Sequence, residues 1–322
     1  MVTSKDSCIR RKERPARRGF KERAFALTAL CILFLSIPLS PSKAAVYTDD
    51  IGRTVQIPSH PRRIISLAPS ITETLFALGL DREIVGVTDF CNYPEAALSR
   101  PKVGSFISLS AEKIVSLRPD LILATADGNR KESVEQLMRL GLPVYTVSPS
   151  NLNQTLHMIS TLGGMTGREK EAHALVHKLR QRILHVKTVT ERLPRPKVFF
   201  QVGIDALITA GSGTFLNELI TIAGGLNIAG GETVRYPRYS IEKILTAAPD
   251  VVIVTSMKGE GTFEKVNKKW SRWPSIPAVR TGRIYLMETD LVFRPSPRIV
   301  DGLEELTRLI HPEVRDRLGS NP

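Results

Sequence analysis

Short aliphatic runs alternate with amphipathic stretches along most of the chain. "RIISLA", Arg63 to Ala68, has the near-continuous apolarity of a strand buried on both faces, and "SITETLFALGL" after it has helical spacing. Ser70 and Glu73 fit an S-x-x-E capping box at the start of that helix. The rhythm continues with "EIVGVTD" as strand, "SAEKIVSL" as helix, "DLILAT" as strand, "ESVEQLMRLG" as helix and "PVYTV" as strand. Alternation of this kind predicts βαβ units and a parallel sheet covered on both faces. Ahead of it, "VYTDDIGRTVQI" reads as a hairpin turning at Asp50 to Arg53.

A longer helical pattern then intervenes. From Thr166 to Arg192 there is no proline and no glycine after Gly167, and Ala172, Leu175, Leu179, Ile183 and Val186 recur at spacings of three and four. Such a helix is a rod of roughly 40 Å, ended by "LPRP" at Leu193 to Pro196. Beyond it the α/β rhythm restarts with "KVFFQVG", "GTFLNELITIAGG", "SIEKILTA", "DVVIVT" and "GRIYLM", and closes on the helix "SPRIVDGLEELTRLI". The reading is an α/β protein: an N-terminal lobe over 45–165, a linker helix over 166–192 and a C-terminal lobe over 193–322, with a cleft between the lobes. A single stiff helix between them is expected to limit hinge motion.

One passage is written twice. "SAEKIVSLRPDLILAT" begins at Ser110, and "SIEKILTAAPDVVIVT" follows 130 positions later at Ser240, with seven of sixteen residues identical. Each copy has a serine placed to cap a helix, a glutamate in the first turn and Pro-Asp before a buried strand. Helix capping and the helix dipole account for either copy taken singly. The equivalence of Glu112 and Glu242 across the lobes has two readings: descent from a duplicated domain alone, or a pair of carboxylates addressing a partner that also comes in two copies.

Charge adds a targeting segment and removes one class of function. Of the formal net charge of +13, residues 1–44 supply +7, with ten Lys and Arg against Asp6, Glu13 and Glu22. The other 278 residues carry +6, interspersed, so no nucleic-acid footprint is expected. Residues 1–44 read as a signal peptide: a basic "RRGFKER", an uncharged "AFALTALCILFLSIPLSPS" broken by Pro38, and small residues before Val46. Export to the periplasm as a soluble protein is expected. Leu30 precedes Cys31 where lipid attachment wants a small residue, and "RRGFK" resembles a twin-arginine signal. Removal of the leader takes Cys8 and Cys31 with it and leaves Cys91 alone, so no internal disulfide can form.

Other motifs carry less. "AGSGTF", Ala210 to Phe215, begins like a dinucleotide loop but has Leu216 where a third glycine belongs, which favours a plain helix start over a phosphate site. An α/β enzyme using that loop on a phosphorylated substrate stays as a rival, though no base or nucleophile clusters near it. His173 and His177 have i,i+4 spacing without further ligands, which favours a solvated face, so no metal site is expected. Trp270 and Trp273 read as core.

The runs "RIISLAPSITETLFALGL", "TDFCNYP", "SAEKIVSLRPDLILAT", "YPRYSIEKIL" and "RPSPRIVDGLEEL", with the long mid-chain helix, resemble the periplasmic substrate-binding proteins of ABC importers for vitamin B12 and iron complexes. The likeness spans about Val46 to Pro312 and is nearest to the cobalamin-binding branch. It implies two Rossmann-like lobes with mainly parallel sheets, a single long α-helix between them, no catalysis, no cofactor, and a bound corrinoid, with a ferric siderophore or haem as alternative. It also implies that Glu112 and Glu242 dock onto arginines of two membrane permease subunits. An adaptor without ligand is a further rival. Ligand contacts in such a fold come from loops after the strands, which offers Ser70, Tyr93, Phe106 and Asp127 from the first lobe and Tyr236, Arg238, Asp290 and Arg294 from the second. Phe106 and Tyr236 stand where the cobalamin-binding relatives have tryptophans, while Asp290 and Arg294 match them.

Overall fold

The computed structural model describes residues 44–256 and 262–318. Residues 1–43, the bulk of the expected signal peptide with Cys8 and Cys31, lie outside the described residues. The expected hairpin forms from β1 (Ala44–Thr48) and β2 (Thr54–Pro58), with Asp49 and Arg53 joined by a 2.7 Å ion pair across the turn.

The first lobe is a parallel sheet of β3 (Ile64–Ser66), β4 (Ile84–Val87), β5 (Leu121–Thr125) and β6 (Val144–Val147), in the order β4-β3-β5-β6. The second contains β7 (Lys197–Gln201), β8 (Leu226–Asn227), β9 (Val251–Ser256) and β10 (Ile284–Glu288), in the order β8-β7-β9-β10. These orders are the same plan, and the central pairs share their register: Ile64 lies opposite Leu121, and Val198 opposite Val251. β8 is only two residues long, too short to leave a strand pattern in the sequence.

Two-residue periodicity divides each sheet between two cores. Leu121 and Leu123 join one large cluster with Val251, Ile253, Val198 and Phe200 of the other lobe, through the helices between them. Ile122 and Ala124 pack on the far side of the first sheet, Val252 and Val254 on the far side of the second. Trp270 is fully buried on that far side, its indole N–H donating to Gln201 at 3.2 Å, with Trp273 edge-on at 5.8 Å.

The repeated passage now has a physical account. Ser110 Oγ accepts from the Lys113 amide and Ser240 Oγ from the Lys243 amide, each at 3.3 Å. The capped helices are Ala111–Ser116 and Ile241–Ala247, burying Ile114 and Ile244. Asp120 accepts from the amides of Arg62 and Arg63 at 2.8 Å, and Asp250 from the Lys197 amide at 2.8 Å, so each Pro-Asp fixes the start of the neighbouring strand.

The linker is shorter than the sequence pattern suggests and has a companion. One helix runs Glu169–Thr190, and another, Leu152–Met165, precedes it where no element was expected. Gly163 and Gly164 disguise that helix as a loop. A Cβ at Gly163 would sit 2.2 Å from Ala172 Cβ, so the glycine lets the two helices cross closely. Arg182 clamps the linker to the helix Ile299–Ile310, bonding Glu304 at 2.8 Å and Asp301 at 2.7 Å. The Glu304 hydrogen bond, ahead of that from Asp301, raises the pKa of this guanidinium against the opposing effect of burial.

Candidate functional site

Loops following the strands enclose a cavity of about 660 Å³, within the range of small-molecule pockets. Ser70, Phe106, Asp127, Tyr236, Asp290 and Arg294 all line it, six of the eight residues proposed from sequence. Phe90, Phe293 and Arg235 line it as well and were missed. Phe90 stands in the same "TDFCNYP" loop as Tyr93, so an aromatic in that loop was a usable signal for the wrong member.

Phe90 and Phe106 stack with ring centroids 5.8 Å apart and planes 22° apart, forming an aromatic wall on the first lobe. Gly128 makes room for it, since a Cβ there would meet the Phe106 ring at 3.1 Å. The second lobe faces that wall with charge: Arg294 is held by Asp290 at 2.7 Å. Burial is the main cause that pushes the Tyr236 phenol up from its ordinary pKa, with Arg235 pulling the other way and Asp127 adding to the rise.

Two expected residues are elsewhere. Tyr93 faces a second, smaller cavity beside the linker helix, because the Arg298 guanidinium lies 4.0 Å from its ring centre and draws it there. Arg238 is exposed and outside the cavity, its backbone committed to a β-bridge with Ile208.

The capping box also fails, for an instructive reason. The helix runs Pro69–Ala77 with Ala68 as its cap, so Ser70 falls inside the first turn and makes no cap bond. Pro69 at the first position needs no amide partner, which removes the need for a side-chain cap there. Glu73 is instead buried and reaches the other lobe: its carboxylate pairs with Arg294 at 2.8 Å, accepts from Ser296 Oγ at 2.5 Å and lies 3.5 Å from Arg298. Asn92 Oδ1 accepts a further bond from Arg294 at 2.7 Å. The first lobe thus orients the arginine that the second lobe presents to the cavity.

The glycine loop is spent on internal bonds. Gly211 and Ser212 amides donate to the Arg235 and Glu232 carbonyls, and Thr214 caps the helix Phe215–Ile222. A Cβ at Gly211 would lie 2.1 Å from the Val234 carbonyl oxygen. These amides are therefore not turned to a phosphate. His173 and His177 are exposed on the linker helix. Cys91 is buried, its sulfur 3.1 and 3.2 Å from the hydroxyls of Thr72 and Thr88.

Glu112 and Glu242 are both exposed, in helices with the same burial pattern. The backbone amide of Glu242 itself, then the Ser240 hydroxyl, hold its carboxyl below the usual range.

Comparison with known proteins gives this architecture a class. Residues 64–291 match the family described as Periplasmic binding protein. Over 281 residues the chain is 32% identical to the vitamin B12-binding protein of Yersinia pseudotuberculosis serotype O:3, covering 86% of this chain and 91% of that one. Among solved structures, the periplasmic vitamin B12 binding protein BtuF of Vibrio cholerae superposes with a TM-score of 0.68 at 27% identity, covering 81% of this chain and 99% of that one. The periplasmic heme-binding protein RhuT of Roseiflexus sp. RS-1 gives 0.70 at 28%, covering 78% and 98%.

The chain belongs to the periplasmic binding protein family. It is a substrate-binding protein and not an enzyme, of the type that hands small molecules to ABC importers and includes both vitamin B12 and heme binders.

Proposed function

We propose that the protein is exported to the periplasm, binds a corrinoid, cobalamin first among them, in the inter-lobe cavity, and delivers it to an ABC importer through Glu112 and Glu242. The carrying observation is the facing of the Phe90 and Phe106 wall against the Asp290 and Arg294 pair across the cavity. A flat macrocycle with polar rim groups is complementary to that arrangement. No helix among the described residues is long and apolar enough to cross a membrane.

Haem is the second reading. Tyr236 supplies a phenol in the cavity that ferric iron would take as phenolate, with loss of its proton. Cobalamin arrives with its metal already ligated and asks no such deprotonation. Titration calorimetry with cyanocobalamin, haem and ferric siderophores separates these readings. Heat and a melting shift with cyanocobalamin, retained in Tyr236→Phe, are expected. Binding of haem alone, lost in Tyr236→Phe, would overturn the corrinoid reading. The cross-lobe contacts of Glu73, with Arg182 fixing the linker helix to the second lobe, limit closure, so the radius of gyration is expected to change little on loading.

A further inference from the structure

The repeated helices present more than a carboxylate. Val115 is 44% exposed and Leu245 36% exposed, each three residues after the glutamate of its own copy. That spacing puts acid and aliphatic side chain on one helical face. Val115 and Leu245 are also 130 positions apart, like Glu112 and Glu242. Burial within the lobe does not require them, because Ile114 and Ile244 fill that role. A single exposed aliphatic residue needs no explanation. Its recurrence beside an exposed acid, at the same place in both lobes, does.

Neither Glu112 nor Glu242 has an ion-pair partner among the described residues. In the second copy the neighbouring cation is actively removed: Lys243 is paired with Glu232 and sits 4.0 Å from the Tyr239 ring centre. An exposed ion pair contributes little by itself, because water competes for both charges. An apolar contact packed beside it excludes that water and strengthens the pair.

We infer that Val115 and Leu245 belong to the docking surface, so that each lobe offers a two-point footprint of one carboxylate and one aliphatic knob. The partner is a pair of importer membrane subunits, each presenting an arginine or lysine beside an apolar socket. The inference rests on the proposed docking role of Glu112 and Glu242 and adds the contact that gives those charges their affinity.

The test is saturable binding of the purified mature protein to right-side-out cytoplasmic membrane vesicles from cells that make it. Val115→Ser with Leu245→Ser is expected to weaken binding by about tenfold to a hundredfold, and each single change by about three- to tenfold. Both sites are partly exposed, so the melting temperature should fall only slightly, with the fold retained. Glu112→Lys with Glu242→Lys should also abolish binding, whereas Leu184→Ser, on the exposed side of the linker helix, should not. Full binding by the serine pair together with loss in the lysine pair overturns this inference and leaves the docking glutamates standing. Equal loss in Leu184→Ser overturns it too, since the effect would then be general surface apolarity. Unchanged binding in both pairs, or no saturable binding by the wild type, overturns the inference and the docking reading alike.

Discussion

The two lobes share one plan but use it differently, and the clearest case is a pair of glutamates exchanged across the cleft. Glu73 and Glu218 each stand six residues before a left-handed glycine, Gly79 at φ 71° and Gly224 at φ 82°. Each reaches the approach to the next long helix beyond the last strand of the opposite lobe, with the short helix Asp290–Phe293 intervening in the second lobe. Glu218 accepts from the Leu152 amide at 2.9 Å, at the start of helix Leu152–Met165. Glu73 takes Arg294 and Ser296, just before helix Ile299–Ile310. The geometry is reciprocal, but the chemistry is not. One lobe lends a neutral amide, the other a buried cation that also lines the ligand cavity. Both lobes have the position, and only one of them is coupled to the site.

Mutation of the two glutamates gives the largest test of that contrast. Glu73→Ala removes the acceptor of Ser296 and one of the carboxylates on Arg294, which keeps Asp290 and Asn92, and should destabilise by about 1.5–3 kcal/mol. Glu218→Ala removes one acceptor at a helix start and should cost about 1 kcal/mol. Urea denaturation of both variants checks this. Equal costs would mean that the two contacts are merely symmetric bracing. Loss of ligand affinity should accompany Glu73→Ala alone, because only that carboxylate orients a cavity residue.

Much of this was legible in the sequence, and the failures share one cause. Strand and helix order and the duplicated passage follow from local pattern, because aliphatic runs and capping serines act within a few residues of themselves, whereas the six cavity residues anticipated follow from loop positions in the fold that the resemblance implies. Glu73 could not be read, since S-x-x-E has the same form whether Ser70 caps a helix or lies inside it. Its actual partner is 221 residues away in the chain. Tyr93 was drawn aside by Arg298 through a similar long-range contact. Arg238 was displaced by a bridge to Ile208 that involves no side chain. Helix Leu152–Met165 was hidden by Gly163, whose purpose is visible only once Ala172 is packed against it.

A second, smaller difference is the hairpin that covers β6 and, among the described residues, has no equivalent over β10. Tyr145 on β6 donates to the Thr48 carbonyl of the hairpin at 3.2 Å, while Tyr285 at the same position of β10 is half-buried. Burial first, then Asp50 and Asp49, push the Tyr145 phenol up to about 12. The folded state therefore holds that proton more tightly than the unfolded chain. Its contribution is complete below the ordinary tyrosine pKa of about 10 and is lost as pH rises toward about 12. Denaturation at stepped pH should show a fall over that interval that is about 2 kcal/mol smaller in Tyr145→Phe. A fall of the same size in Tyr145→Phe would show that another group governs the alkaline limit.

The finest comparison concerns the backbone inside the repeated passage. Arg118 and Ala248 end their helices at equivalent places with φ of 45° and 48°, the left-handed region that a side chain disfavours. For L-residues this conformation costs roughly 1–2 kcal/mol, whereas glycine accepts it and gives back about 0.5–1 kcal/mol through greater freedom when unfolded. Ala248→Gly should therefore stabilise by about 0.5 kcal/mol, read as a small rise in denaturation midpoint at unchanged slope. Arg118→Gly should gain the same backbone relief, because the contact at that residue is the Arg118 carbonyl accepting from Arg63 at 3.1 Å, which glycine retains. Equal gains would show that the two copies share their strain as well as their register. A gain at Ala248 with a loss at Arg118 would show that the arginine side chain serves the first lobe in a way the second copy never required.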